Sequence, residues 1–378
     1  MTKLPTILML LILPVIQLAG QSPFSFHGQA SVWGNVNPGN DLPVWLGARY
    51  IPQANYKIDF SKSRFIDFET SLNINGSAGI HSIDSMNSEG RIKPYRVWAR
   101  YATNQLELRL GLQKINFGSA SMLRPLMWFD QVDPRDPLQL TDGVWGLLGR
   151  YFFLNNANIW LWGLYGNEGP KTWELGKTLE KTPEFGGRVQ VPIPTGEAAL
   201  SFHRRRAELN NPVFSIPGFA DIPENRYGFD IKLDVEVGLW LEGVWINKRK
   251  DIGMLSNQQI LNLGMDYTFG IGNGLHVIIE QLLFSYDQDP FAFENNTHFT
   301  AKSISYPLSI FDNISTIIYY DWTNKNVYSF ANWQRQFNKF SFYVMAFWNP
   351  DTFQLPQQSE GARMFAGKGF QLMLVYNH

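Results

Sequence analysis

The chain has 378 residues, a formal net charge of −1 and no cysteine. Near-neutral charge gives no reason to expect nucleic acid as a partner, and without cysteine neither a disulfide nor a lipidated cysteine can hold or anchor the fold. Aromatics make up 15% of the residues, with 13 Trp and 32 Gly, and a mean hydropathy of −0.19 argues against a bundle of membrane helices.

The N-terminus reads as a secretory signal. Lys3 supplies the positive start, Leu4–Ala19 the apolar stretch, and Ala19–Gly20 the small residues of a cleavage point. Pro5 and Pro14 in so short a stretch argue against a membrane anchor. The expected division is therefore a signal over 1–20 and one domain over 21–378. No other run is long and apolar enough for a spanning helix.

Beyond the signal, hydropathy alternates with period two. In Arg64–Gly76, Ile66, Phe68, Thr70, Leu72 and Ile74 share one face, and Asp67, Glu69, Ser71, Asn73 and Asn75 share the other. Leu106, Leu108, Leu110 and Leu112 repeat the pattern, as do Leu261, Leu263, Met265 and Tyr267. Such a dyad, sustained over the chain in segments of about ten residues, is the mark of a transmembrane β-barrel. The predicted strands cover 24–35, 44–59, 64–76, 92–102, 105–113, 143–153, 157–165, 186–194 and 197–206. They continue over 226–235, 238–248, 259–269, 274–286, 298–308, 313–322, 326–336, 339–348 and 367–377. Short and long connections alternate along this series, as expected for turns at one rim and loops at the other. The fold class is thus an all-β, closed antiparallel transmembrane barrel of about 16–18 strands. A ring of that size encloses a wet lumen. Tyr95, Tyr101, Tyr151, Trp160, Trp245, Tyr267, Trp333, Trp348 and Tyr376 are candidates for aromatic belts at the membrane interfaces.

The longest connection, Lys114–Asp142, carries Met122, Leu123, Leu126, Met127, Trp128 and Phe129. That cluster is too apolar to lie open to water. Asp130, Asp133, Asp136 and Asp142 have the oxygen chemistry for calcium but no EF-hand spacing, and Asp-Pro pairs favour turns; no metal is expected.

With this strand number, the alternating turns and a long third external loop, the whole mature chain resembles bacterial outer-membrane porins. GLQKINFG followed by FDQVDPRDP is also similar to a loop of large barrels that export polysaccharide or hydrophobic compounds. The porin resemblance implies that loop 114–142 folds inward and narrows the lumen, with Arg124, Trp128, Phe129, Asp130, Asp133, Arg135 and Asp136 at the constriction. It also implies outer-membrane lipid as surroundings, small solutes as cargo and a homo-oligomer. The last strand, with Phe370, Leu372, Leu374 and Tyr376 on one face, looks like the signal read by barrel-insertion machinery.

Placing the apolar member of each dyad outward turns Arg49, Arg96, Arg100, Arg109, Arg150, Arg188 and Arg205 into the lumen. Asp230, Asp234, Glu242, Asp266, Glu280 and Asp321 turn inward on later strands. Asp67, Glu69 and Glu107 are exceptions in the basic half, and Lys232 and Lys302 in the acidic half. The expectation is a transverse field between a basic and an acidic half, with Arg96 and Arg100 around Trp98 meeting the solute. The run His203-Arg204-Arg205-Arg206 reads as a solvated outer rim. Six histidines occur, but there is no G-x-S-x-G, H-E-x-x-H or GxGxxG, so catalysis and cofactors are not expected. The reading is an outer-membrane channel for passive diffusion of small hydrophilic or charged solutes, in a double-membraned bacterium. Rivals are a barrel that holds or exports surface polysaccharide and, less favoured, an outer-membrane hydrolase.

Overall fold

The computed structural model describes residues 22–39, 41–82, 85–167, 169–209, 221–351 and 365–378; the expected signal lies outside them. The elements are β1 (Phe24–Val36), β2 (Val44–Ser61), β3 (Arg64–Ser82), β4 (Ser85–Ala102), β5 (Leu106–Gln113), β6 (Val144–Phe152), β7 (Asn158–Leu164), β8 (Lys177–Thr178), β9 (Glu184–Ile193) and β10 (Gly196–Glu208). They continue as β11 (Ile222–Asp234), β12 (Gly238–Lys248), β13 (Asn257–Phe269), β14 (Leu275–Asp287), β15 (Asn296–Pro307), β16 (Asp312–Asp321), β17 (Asn326–Gln336), β18 (Phe340–Trp348) and β19 (Lys368–Asn377).

Each long strand pairs antiparallel with the next, β7 pairs with β9, and β19 pairs back onto β1 from Gln29↔Asn377 to Val36↔Phe370. The two-residue β8 only touches the end of β10. Nineteen strands less β8 leave a closed ring of eighteen. Closure leaves no strand edge facing lipid, where an unpaired backbone group costs several kcal/mol.

Alternation sets the two faces. Val32, Leu46, Leu110, Leu161, Leu200 and Leu263 are exposed on the outside, while Asn35, Arg188, Glu242, Asn262 and Glu280 are buried inside. Two expectations need correction. Strands β3 and β4 run 19 and 18 residues, so the segment read as a loop after Gly76 is a paired hairpin. Trp160 faces inward, beneath the Arg150 guanidinium at 3.9 Å, and is no belt residue. Tyr151 and Trp348 are exposed on the outer face, as belt positions require.

Lys302 is the third departure. Phe299 and Ala301 are buried against the interior, so Lys302 on the same strand points outward. It stands between Ile279 on β14 and Ile318 on β16. Tyr306 lies four residues away toward the short turns, and Trp322 lies four residues beyond Ile318 toward the long loops. Lys302 thus sits near mid-height of the apolar band. Replacing it in Lys302→Leu is expected to raise barrel stability by about 2–4 kcal/mol, the cost of a mid-membrane lysine. Urea unfolding in lipid vesicles measures this, and a loss of stability would show that lipid does not cover this face.

Candidate functional site

The connection 114–142 lies inside the ring. Two wall carboxylates hold it there. Glu280 Oε1 accepts the Ser121 N–H at 2.6 Å, and Oε2 accepts the Leu123 N–H at 2.6 Å, with the Met122 N–H shared between them. Glu242 accepts N–H groups of Ser119, Ala120 (2.7 Å) and Leu126 (3.3 Å). Asn262 donates to the Leu123 carbonyl. Backbone amides aimed at carboxylates make charge-assisted bonds, and these also satisfy loop groups that have lost water. Gly118 makes the approach possible. It has φ +95, and a Cβ there would come within 2.5 Å of Glu242 Oε1.

Packing completes the docking. Ile115, Phe117, Met122, Leu123, Leu126, Trp128 and Phe129 form one apolar core with the inner face, including Leu148, Trp162, Val244, Ile246, Ile260 and Leu282. The Phe117 ring stacks on Trp162 at 5.7 Å, and Phe129 meets His203 edge-on at 5.0 Å. This half of the lumen is therefore filled.

A second connection, 165–183, straps the first from the outer side. Trp173 donates its indole N–H to the Arg124 carbonyl at 2.8 Å, and Thr172 donates to the Asp130 carbonyl at 3.1 Å. Glu174 bonds Arg205 at 3.0 Å and Arg226 at 2.7 Å. Burial alone would raise the Glu174 carboxyl, but those two guanidiniums outweigh it and hold it below the ordinary value. Sequence reasoning singles out neither Glu174 nor Arg226, because nothing local marks a loop glutamate as the partner of strands so much further along the chain.

The charges predicted for the lumen are not arranged as two opposed halves. Arg188 and Asp230 bind each other at 2.5 and 2.8 Å. Arg205 binds Glu224 at 2.7 Å. Glu242 and Glu280 are occupied by the loop, and Asp321 accepts the N–H groups of Thr323 and Asn324 in its own turn. Asp234 lies 3.4 Å from Lys232, and Asp266 lies 3.9 Å from His276. On the basic side, Arg100 grips Asp67 at 2.9 and 2.7 Å, and Arg109 and Arg150 gather around Glu107 at 2.9 and 3.7 Å. Arg96 is buried and donates to the Thr141 carbonyl at 2.9 Å, apart from Arg100. Alternation also splits the run at 203–206. His203 and Arg205 are buried inside, whereas Arg206 is outside with Asp221.

Open space remains on the other side of the loop. A cavity of about 550 Å³ lies between Asp133, Asp136 and Asp142 of the loop and Trp33, Arg49, Arg91 and Lys93 of the wall. A smaller one of about 180 Å³ reaches Asn313, Ser315 and Asn332. Both are bounded by Arg135, Asp136, Pro137, Met345 and Phe365. Of the seven expected constriction residues, Asp133, Arg135 and Asp136 thus border the free space. Arg124, Trp128, Phe129 and Asp130 are buried within the loop and its contacts. Asp133 and Asp136 each accept the N–H two residues on, at 2.9 Å, the turn geometry of Asp-Pro pairs. Among the described residues no group of three His, Asp or Glu side chains is placed to hold a metal.

Asp130 is the least satisfied member of the loop. Both its oxygens are buried without a hydrogen-bond donor, and Arg124 is 4.0 Å away. Burial pushes its carboxyl above the ordinary range, with Arg124 offsetting only part. A raised carboxyl favours the folded state below the unfolded value and loses that advantage as pH rises through the folded one. Acidification toward pH 4 is therefore expected to tighten loop docking at this group. Asp130→Asn should remove that pH dependence and raise the melting temperature at neutral pH. An unchanged or lowered melting temperature would contradict this. In Glu280→Ala three buried amides lose their acceptor, so residues 119–126 should become cleavable by protease in the folded barrel; full resistance would argue against the anchoring role.

No family model matches the chain, and no curated protein matches it. Among solved structures, the barrel is similar to Salmonella typhi OmpF in complex with daunomycin, at 10% sequence identity and a TM-score of 0.49, over 94% of this chain and 97% of that one.

Proposed function

We propose that the chain is an outer-membrane channel for passive diffusion of small hydrophilic or charged solutes, narrowed by the inward-folded loop. One observation carries this reading. The two cavities beside the loop share five bounding residues, so they adjoin at Arg135–Pro137, and we read them as parts of one route past the loop. The loop carboxylates Asp133 and Asp136 stand on one side of that route and Arg49 on the other, while Lys93 closes onto the loop's Asp142 at 2.7 Å. A field across the gap therefore arises between loop and wall, not between two halves of the wall. Polar solutes align in such a field, and apolar ones must displace ordered water. The surroundings that go with this reading are outer-membrane lipid and the barrel-insertion machinery. A homo-oligomer is compatible with it.

His203 is not available to the hydrolase alternative. His203 is fully enclosed, its Nδ1 accepts the Trp162 indole N–H at 3.1 Å and its Nε2 meets Glu184 at 3.1 Å. Neither nitrogen is left for a substrate.

Conductance in a planar bilayer tests the proposal. Steady ion current is expected from the purified chain, and deletion of residues 133–137 should increase it. A silent barrel would favour the polysaccharide-holding alternative, and an unchanged current after deletion would remove the loop from the narrow zone. The double variant Arg49→Glu, Lys93→Glu should shift the reversal potential toward cation preference; no shift would place these side chains away from the current path.

A further inference from the structure

We infer that the larger cavity is a binding site for monocarboxylates with a compact apolar body, such as an arylalkyl carboxylate. The inference rests on the channel reading and names the solute class that the narrow zone holds.

The inner wall changes character over four adjacent strands. Met345 on β18 and Met373 on β19 border the cavity and belong to a buried apolar cluster against which Trp33 and the loop's Leu138 pack. Met373 pairs with Trp33 across the β19–β1 ladder, and Trp33 pairs with Gly47 across β1–β2. Arg49 is the next inward residue on β2 after Gly47. Adjacent strands are about 4.8 Å apart, so the backbones of β19 and β2 stand roughly 10 Å apart, with the Trp33 strand between. That spacing suits one charged group joined to one ring.

Trp33 is fixed in place. A Cβ at Gly47 would lie 2.2 Å from its ring carbons, so the indole lies flat across that glycine. The Arg49 guanidinium carbon lies 5.6 Å from the indole centroid, within cation–π reach. A guanidinium fork can grip a carboxylate with two parallel N–H bonds.

Arg49 also has no carboxylate of its own within ion-pair distance among the described residues. The other cations of the cavity do: Lys93 lies 2.7 Å from Asp142, Arg91 lies 3.5 Å from Glu89, and Arg135 lies 2.5 Å from Asp133. The Arg49 Nε is buried without a hydrogen-bond partner. On the loop side Asp136 accepts the N–H groups of Leu138 and Leu140 at 2.9 and 3.4 Å and interacts with Arg49 through its charge only. One anion fits here; a second charge on the same solute falls on the methionines.

The test uses the full mature chain in detergent, with 3-phenylpropanoate as probe, read by calorimetry, alongside ion current in a bilayer. Saturable binding is expected, at least about tenfold tighter than for propanoate or for the neutral 3-phenylpropanamide. Arg49→Gln should weaken it by about tenfold or more, while Arg49→Lys, which keeps the charge, should lose less. Heat-modifiable migration on gels establishes that each variant is folded. Equal binding of acid and amide, or unchanged binding in folded Arg49→Gln, would overturn the inference. Current without acid binding would remove this site and leave the channel. Arg49-dependent binding without current would leave the site and remove the channel.

Discussion

Backbone groups in hydrocarbon have nothing to bond but each other, and the rest of this molecule is built around that constraint. The β19–β1 ladder closes the sheet, and eighteen staves make a ring too wide to be filled by its own side chains. An interior of that width is either left to water or occupied by something else. Here much of it is occupied by the chain's own fifth-to-sixth connection, and the residual space is pushed to one side, against β1–β4 and β16–β19.

The loop is held by unequal means. Apolar packing gives most of its burial, but packing alone is non-directional. Direction comes from Glu242 and Glu280, whose oxygens receive successive backbone N–H groups and so set the loop's position along the wall. The carboxylates that face open space are the loop's own, Asp133, Asp136 and Asp142. Charge on the wall thus serves two separate purposes. On β12 and β14 it fastens the loop, and on β2 and β4 it borders the free route.

How much of this the sequence discloses depends on whether period two is broken. The staves are legible because most of them have one apolar and one polar face, and burial cannot tolerate a one-residue slip. The extension of β3 and β4 is not, since Ser77, Gly79, Ser82 and Ser88 read as loop while being paired. Lys302 misleads because Thr300 and Lys302 on one face and Ser303 and Ser305 on the other are all polar; only the burial of Phe299 decides. Trp160 misleads for the opposite reason, as both faces of β7 are apolar where the loop packs against it. Alternation gives the face of a side chain but neither its height nor its angular position. Inward arginines and carboxylates, Asp67 and Glu107 among them, can therefore be named from the sequence, but which of them meet, and which receive the loop amides, cannot.

The anchors of the loop arrive late. Glu242 follows Ala120 by 122 residues, and Glu280 follows Leu123 by 157. During synthesis and translocation the segment Met122–Phe129 therefore emerges long before any carboxylate exists to receive it. Until the second half of the ring is in place, this greasy stretch is an orphan, exposed to whatever escorts or degrades unfinished chains. Docking belongs to the closing steps of assembly, and a barrel truncated before β14 would carry its own sticky plug with nowhere to seat it.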